Sequence, residues 1–347
     1  MASMRSVADT HRPTLYRLDV ESQEPQFAGE ESSHPVTADL EPRSVITALG
    51  PPPHSRVAVD NKVGRKETVA MAVANVLVST DWLANHLTDP SIAVVEVDED
   101  TSAYLSGHIP GAVGLDWKEE LHDLPRRDFV SSEQLAALLG GKGISSGQTI
   151  ILYGGNKNWF ATYAYWLGKL RGIERLQVLD GGRMKWELED RPLTSETITS
   201  PPARFEMGTP RPELRIFRDE VIDHARTGHT LVDVRSPEEF RGEVMAPPHL
   251  PQEQPYVPGH IPGARNIPWS QTAQEDGAFK SAKEIEALYR DAGVLGNGEI
   301  VTYCRIGERS SHTWFALSEL LGYRSVRNYD GSWTEYGSLV GVEVERS

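Results

Sequence analysis

Short runs of β-branched and other apolar residues recur at positions 93–97, 149–153 and 176–179, and again at 230–234, 299–303 and 325–328. They are apolar on both faces, which suits parallel strands covered on both sides. Between them, residues 132–139, 160–170, 282–289 and 311–321 show helical patterns. Strand alternating with helix predicts α/β layering around a mainly parallel sheet flanked by helices.

The pattern occurs twice. GHIPGA stands at 107–112 and again at 259–264, an offset of 152. From Phe129 to Gly181 the offset is a constant 150, pairing Phe129 with Phe279, Tyr153 with Tyr303, Gly172 with Gly322 and Asp180 with Asp330. A gapless register of that length marks a duplicated domain. We expect one copy over residues 75–195, a Pro-rich linker over 196–212 and a second copy over 213–347. A second Pro-rich stretch, 246–258, has no counterpart in the first copy and reads as an inserted loop.

Composition separates the start of the chain from the rest. Of 347 residues, the first 70 hold seven prolines and only two aromatics, Tyr16 and Phe27, while all eight tryptophans come later. Such a segment buries too little apolar surface to offset its ordering entropy, so residues 1–72 are expected to be a disordered extension. Met71, where the folded pattern begins, is an alternative start of translation. A formal charge of −15 disfavours general nucleic-acid or anionic-membrane binding. No apolar run reaches the roughly 18 residues that cross a bilayer, and the first residues lack the apolar core of a signal peptide. A cytoplasmic protein is expected.

The chain has one cysteine, which excludes an intramolecular disulfide and a Cys-rich zinc site. It follows the strand run 299–303 and opens the loop Cys304-Arg305-Ile306-Gly307-Glu308-Arg309-Ser310. Loops at the carboxyl ends of parallel strands carry ligands in open α/β sheets. Here the backbone amides of a loop curling into a helix can form an anion nest, Gly307 supplies the freedom to curl, and Arg305 and Arg309 add positive charge. A thiol that titrates near about 8.5 is lowered in such surroundings, so the sequence predicts a reactive Cys304 thiolate with Glu308 turned to solvent or paired with an arginine. In the first copy Gly154 and Trp159 replace Cys304 and Arg309, so that loop has neither nucleophile nor arginine. His108 and His260 lack partner ligands at metal-binding spacing and are expected to cap loops through hydrogen bonds. Asp233 and Arg235 read as a structural ion pair or as support near the loop. Glu96 and Asp98 take their positions in the first copy, so that pair is not repeated there. The tryptophans and tyrosines of 159–166 are expected to pack the core or a domain interface.

These residues carry a family resemblance. GHIPGA in both halves, Val232-Asp233-Val234-Arg235, the Tyr303–Ser311 loop and Asn328-Tyr329-Asp330-Gly331-Ser332-Trp333 resemble the tandem-domain rhodaneses, the thiosulfate sulfurtransferase family, and most of all its actinobacterial two-domain members. The resemblance covers about residues 75–347. It implies an inactive first domain and an active second one, in which Cys304 takes the outer sulfur of thiosulfate, releases sulfite, and passes the persulfide sulfur to cyanide or a thiol acceptor. Arg305, Gly307, Glu308, Arg309 and Ser310 would line the substrate anion site. It implies no metal and no organic cofactor.

Two departures stand out. Where the family often has a further substrate arginine, this chain has Glu239, with Arg241 nearby as a candidate substitute. The mercaptopyruvate branch of the family usually reads Cys-Gly-Ser/Thr-Gly, so Arg305 favours thiosulfate over 3-mercaptopyruvate. A phosphatase or arsenate reductase of the same fold places arginine six residues after cysteine, whereas Arg309 is five after Cys304. A persulfide carrier without its own donor turnover is the other alternative.

Overall fold

The computed structural model describes residues 76–247 and 253–346. The expectations for residues 1–72 and for the alternative start at Met71 lie outside those residues.

The first domain runs β1 (Leu77–Val78), α1 (Thr80–Ala84), β2 (Ile92–Asp98), α2 (Ser102–Ser106), β3 (Val113–Asp116), α3 (Trp117–Glu120), a small hairpin of β4 (His122–Asp123) and β5 (Asp128–Phe129), α4 (Ser132–Gly141), β6 (Thr149–Tyr153), α5 (Trp159–Arg171), β7 (Leu176–Leu179) and α6 (Gly182–Leu188). The second runs α7 (Arg218–Thr227), β8 (Thr230–Asp233), α8 (Pro237–Arg241), β9 (Arg265–Asn266), α9 (Ala282–Asp291), β10 (Ile300–Tyr303), α10 (Glu308–Phe315), β11 (Val326–Tyr329) and α11 (Ser332–Tyr336). Each domain forms one parallel sheet, ordered β1-β7-β6-β2-β3 and β11-β10-β8-β9. The expected α/β architecture, two tandem parallel sheets flanked by helices, is what the chain adopts.

Local chemistry repeats with the fold. Helices α4 and α9 both start from a capping box, Ser131 with Gln134 and Ser281 with Glu284, each satisfying two otherwise orphaned amides. The central strands β6 and β10 are almost wholly buried, which explains their unbroken apolar runs.

Helices α5 and α10 pack across the domain boundary. Tyr165 meets Phe315 edge-on at 4.8 Å, its hydroxyl donates to Glu319 at 3.0 Å, and Trp159 lies 5.2 Å from Trp269. The aromatic run 159–166 therefore packs the core and the interface, as its spacing predicts. Residues 196–211 form no regular element and are strapped to the first domain by Ala203 N–H to Gly140 O and Gly208 N–H to Gly172 O.

One helix differs from its sequence pattern. Helix α10 begins at Glu308, three residues before the expected Ser311, and passes into a π-turn at Ala316–Leu320. Its first turn is buried although it is polar, so apolar periodicity could not reveal it. Among the described residues no helix is long and apolar enough to cross a membrane.

Candidate active site

Strand β10 ends at Tyr303, and Cys304 begins the loop that turns into α10. The turn after β11 locks this loop from outside. The Cys304 amide donates to Ser332 Oγ at 3.0 Å, Trp333 N–H donates to Cys304 O at 3.1 Å, and Thr334 N–H donates to Arg305 O at 3.0 Å. Asn328 Nδ2 donates to Gly307 O at 3.2 Å. Ser332 adopts φ +51°, a left-handed conformation that is strained for a residue with a Cβ. Gly307 has φ +97°, and a Cβ there would lie 2.7 Å from Asp330 Cα. Only glycine lets loop and turn approach this closely.

The Cys304 side chain is completely buried. Its Sγ accepts the Gly307 N–H at 3.1 Å, the expected amide contact at the start of a helix. The charges differ from expectation. The thiol donates to Glu308 Oε2 at 3.4 Å, and Glu308 is buried rather than turned to solvent. Of the two places expected for Glu308 it takes the second, pairing with an arginine: its Oε1 lies 3.7 Å from Arg309 Nε. Arg309 is committed elsewhere, its two terminal nitrogens donating to the two carboxylate oxygens of Glu239 at 2.9 and 3.1 Å. Burial alone would raise the Glu239 carboxyl, but Arg309 holds it below the ordinary carboxylate range.

These contacts form a row, Glu239–Arg309–Glu308–Cys304, in which carboxylate, guanidinium, carboxylate and thiol succeed one another. Arg305 is fully buried beside it. Burial, followed by the Glu308 carboxylate, pushes the Cys304 thiol above its ordinary value, opposed by Arg309 and the Ser310 amide. The expected lowered thiol is thus corrected: two carboxylates balance the two arginines, and complete burial removes the solvation a thiolate needs.

The remaining predicted residues fall into place around this row. Ser310 Oγ donates to Gly307 O at 3.0 Å and tightens the first turn of α10. Asp233 and Arg235 form a fully buried ion pair at 2.6 Å, and Arg235 also donates to Gly259 O at 2.7 Å, bracing the second GHIPGA loop. Arg241 does not join the site. It is partly exposed and pairs with Glu243 at 2.8 Å and Glu238 at 3.7 Å, so it does not substitute for the position taken by Glu239. The loop histidines behave as caps: the ring nitrogens Nδ1 of His108 and His260 lie 2.8 Å from the carbonyl oxygens of Tyr104 and Phe240.

The twin loop is built differently. A Cβ on Gly154 would lie 2.3 Å from Val97 O, so no cysteine fits where the second domain has Cys304. Asn158 accepts the Gly154 amide at 3.0 Å, as Ser332 accepts that of Cys304. The Asp–Arg pair is not repeated at Glu96 and Asp98, as expected, yet a buried guanidinium–carboxylate pair recurs with Arg183 as its cation, donating to Glu96 at 3.1 Å and to Gly107 O at 2.7 Å.

A cavity of about 590 Å³ lies where the domains meet. The first domain contributes Trp117, Arg127, Phe129 and Tyr163 to its lining, and the second contributes Ile306 and Asp330. Arg215 spans it, pairing with Asp330 at 2.7 Å and Asp128 at 2.8 Å. Glu253, in the inserted loop, pairs with Arg127 across the boundary.

A family profile described as the rhodanese-like domain matches residues 79–189 and 217–339. The chain belongs to the rhodanese-like family. Among its rhodanese relatives, one from Mycolicibacterium smegmatis named "Putative thiosulfate sulfurtransferase" is 58% identical over 275 residues, covering 79% of this chain and 99% of that protein. "Sulfur carrier protein TtuD" of Thermus thermophilus is 50% identical over 275 residues, covering 78% and 96%. Among solved structures, an anaerobic ergothioneine biosynthesis enzyme from Chlorobium limicola, in complex with trimethyl histidine, aligns at 25% identity with a TM-score of 0.68, covering 79% of this chain and 70% of that one. The doubled rhodanese domain and the names of these relatives support a sulfurtransferase.

Proposed function

We propose that this rhodanese-like protein moves sulfane sulfur from thiosulfate to cyanide or a thiol through a persulfide on Cys304. The observation that carries the reading is the position of the sulfur, at the end of a central parallel strand with the Gly307 amide on Sγ at 3.1 Å, while the equivalent position of the twin domain admits no side chain.

The thiol first passes its proton, by way of the Glu308 carboxylate to which it donates, to solvent. The thiolate then attacks the outer sulfur of thiosulfate, forming the Cys304 S–S bond and breaking the donor S–S bond, whose electron pair leaves with sulfite. An acceptor nucleophile attacks the outer persulfide sulfur and returns Cys304 as thiolate. This is covalent catalysis in two half-reactions. The Gly307 amide stabilises negative charge on Sγ in both halves, and Arg305 supplies the positive charge that attracts the donor. Ile306, next but one to Cys304, borders the interdomain cavity, which supports entry of donor and acceptor from that side.

A second reading, a persulfide carrier loaded by a partner, draws support from the pairing of Arg309 with Glu239, which lessens the pull on a dianion. One experiment separates the readings. The purified protein is incubated with thiosulfate or 3-mercaptopyruvate, intact mass is read for one added sulfur, and cyanide is added to release thiocyanate. We expect thiosulfate to load wild type and Cys304→Ala to take up nothing while remaining folded. Failure of thiosulfate to load, with loading from a protein persulfide, supports the carrier. Loading of Cys304→Ala sinks both.

A further inference from the structure

We propose that Glu239 is a specificity-determining residue that sets how much negative charge the sulfur donor carries, an inference that rests on the Cys304 persulfide reading above. Glu239 is fully buried, and it holds Arg309 through two parallel hydrogen bonds of 2.9 and 3.1 Å. A bidentate pair of this kind fixes both the position and the charge of the guanidinium. Both terminal nitrogens of Arg309 are therefore turned to Glu239 rather than to an incoming anion, while its buried Nε makes no hydrogen bond. Next along the row stands Glu308, whose carboxylate touches the thiol at 3.4 Å.

Around Cys304 the charges of Arg305 and Arg309 are thus matched by those of Glu239 and Glu308. A neutral pocket does little for a dianion such as thiosulfate and suits a donor of lower charge, such as a thiosulfonate monoanion or a hydropersulfide. Glu239 also has a local role, because its Oε2 accepts the Ser236 amide at 3.0 Å in the capping box of α8. Glutamine keeps that oxygen and the side-chain shape while removing the charge.

The test uses the full chain with cyanide as acceptor and two donors, thiosulfate and the monoanion methanethiosulfonate. Wild type is expected to bind methanethiosulfonate at least as tightly as thiosulfate. In Glu239→Gln the KM for thiosulfate should fall about tenfold, equivalent to about 1.4 kcal/mol, with kcat within about twofold. The KM for methanethiosulfonate should fall less. Raising ionic strength should leave most of the gain, because the Arg309 guanidinium is buried and buried charges are screened little. Glu239→Asp retains the charge and should keep the wild-type preference between donors. A folded Glu239→Gln whose thiosulfate KM is unchanged or higher overturns the proposal. So does a wild-type protein that binds thiosulfate much more tightly than the monoanion, a result that needs no variant to fold. If neither donor places sulfur on Cys304, the persulfide reading itself fails, and this inference fails with it.

Discussion

Cys304 Sγ and Glu308 Oε2 lie 3.4 Å apart with both side chains buried, so a carboxylate rather than a guanidinium shares the proton of the candidate nucleophile. Burial and this carboxylate raise the thiol above its ordinary value, and only the thiolate reacts. Alkylation of wild type by iodoacetamide should therefore be slow at neutral pH and climb as pH rises past the ordinary thiol range. Glu308→Gln removes the repelling charge while keeping the shape. Its alkylation at neutral pH should be several-fold faster, with the pH profile displaced to lower pH. An unchanged or slower variant would show that Glu308 does not hold the thiol in its protonated form.

Gly307 and Asp330 make a second testable contact. A Cβ on Gly307 would stand 2.7 Å from Asp330 Cα, and its φ of +97° lies in the region other residues avoid. Gly307→Ala must push the loop and the β11 turn apart or rotate the Gly307 amide away from Sγ. We expect a loss of stability of at least about 1–2 kcal/mol in urea unfolding, with persulfide loading reduced more than the stability loss alone explains. Full loading at wild-type rate would show that the Gly307 amide is dispensable to the site.

What the sequence reveals follows from what local pattern encodes. Strands β6 and β10 are legible because burial on both faces demands continuous apolar runs. The duplication is legible because Tyr153 and Tyr303 do the same work, each hydroxyl accepting the amide of an isoleucine in GHIPGA, Ile109 or Ile261. Cys304 is legible from its place after a strand. The charge arrangement is not. Glu308 and Arg309 look like exposed helix-start residues, and only Glu239, seventy residues earlier, reveals that they are buried and paired. Arg183 shows the same limit. It sits at the repeat position of Trp333 yet performs the task of Arg235, gripping the GHIPGA glycine carbonyl. Tertiary geometry conserves the position of the guanidinium group, not the place in the sequence that supplies it.

The interface histidine supplies a prediction about acid stability. His312 is fully buried on α10, stacked on Phe279 at 4.5 Å, with its Nδ1 3.2 Å from Thr272 Oγ1. Burial lowers its pKa to about 3, against about 6.5 in an unfolded chain. Below about 6.5 the unfolded chain takes up a proton that the folded one refuses, so stability present above that pH is lost as pH falls toward 3. The loss approaches about 1.4 kcal/mol per pH unit, or roughly 2 kcal/mol by pH 5. His312→Gln should lower stability at pH 7, where the ring stack is lost, yet remove this component of the acid slope. Urea midpoints between pH 7 and 5 should therefore converge for variant and wild type as pH falls. Parallel slopes would mean that the two domains separate or rearrange around His312 before it is protonated, and that its burial contributes nothing to acid lability.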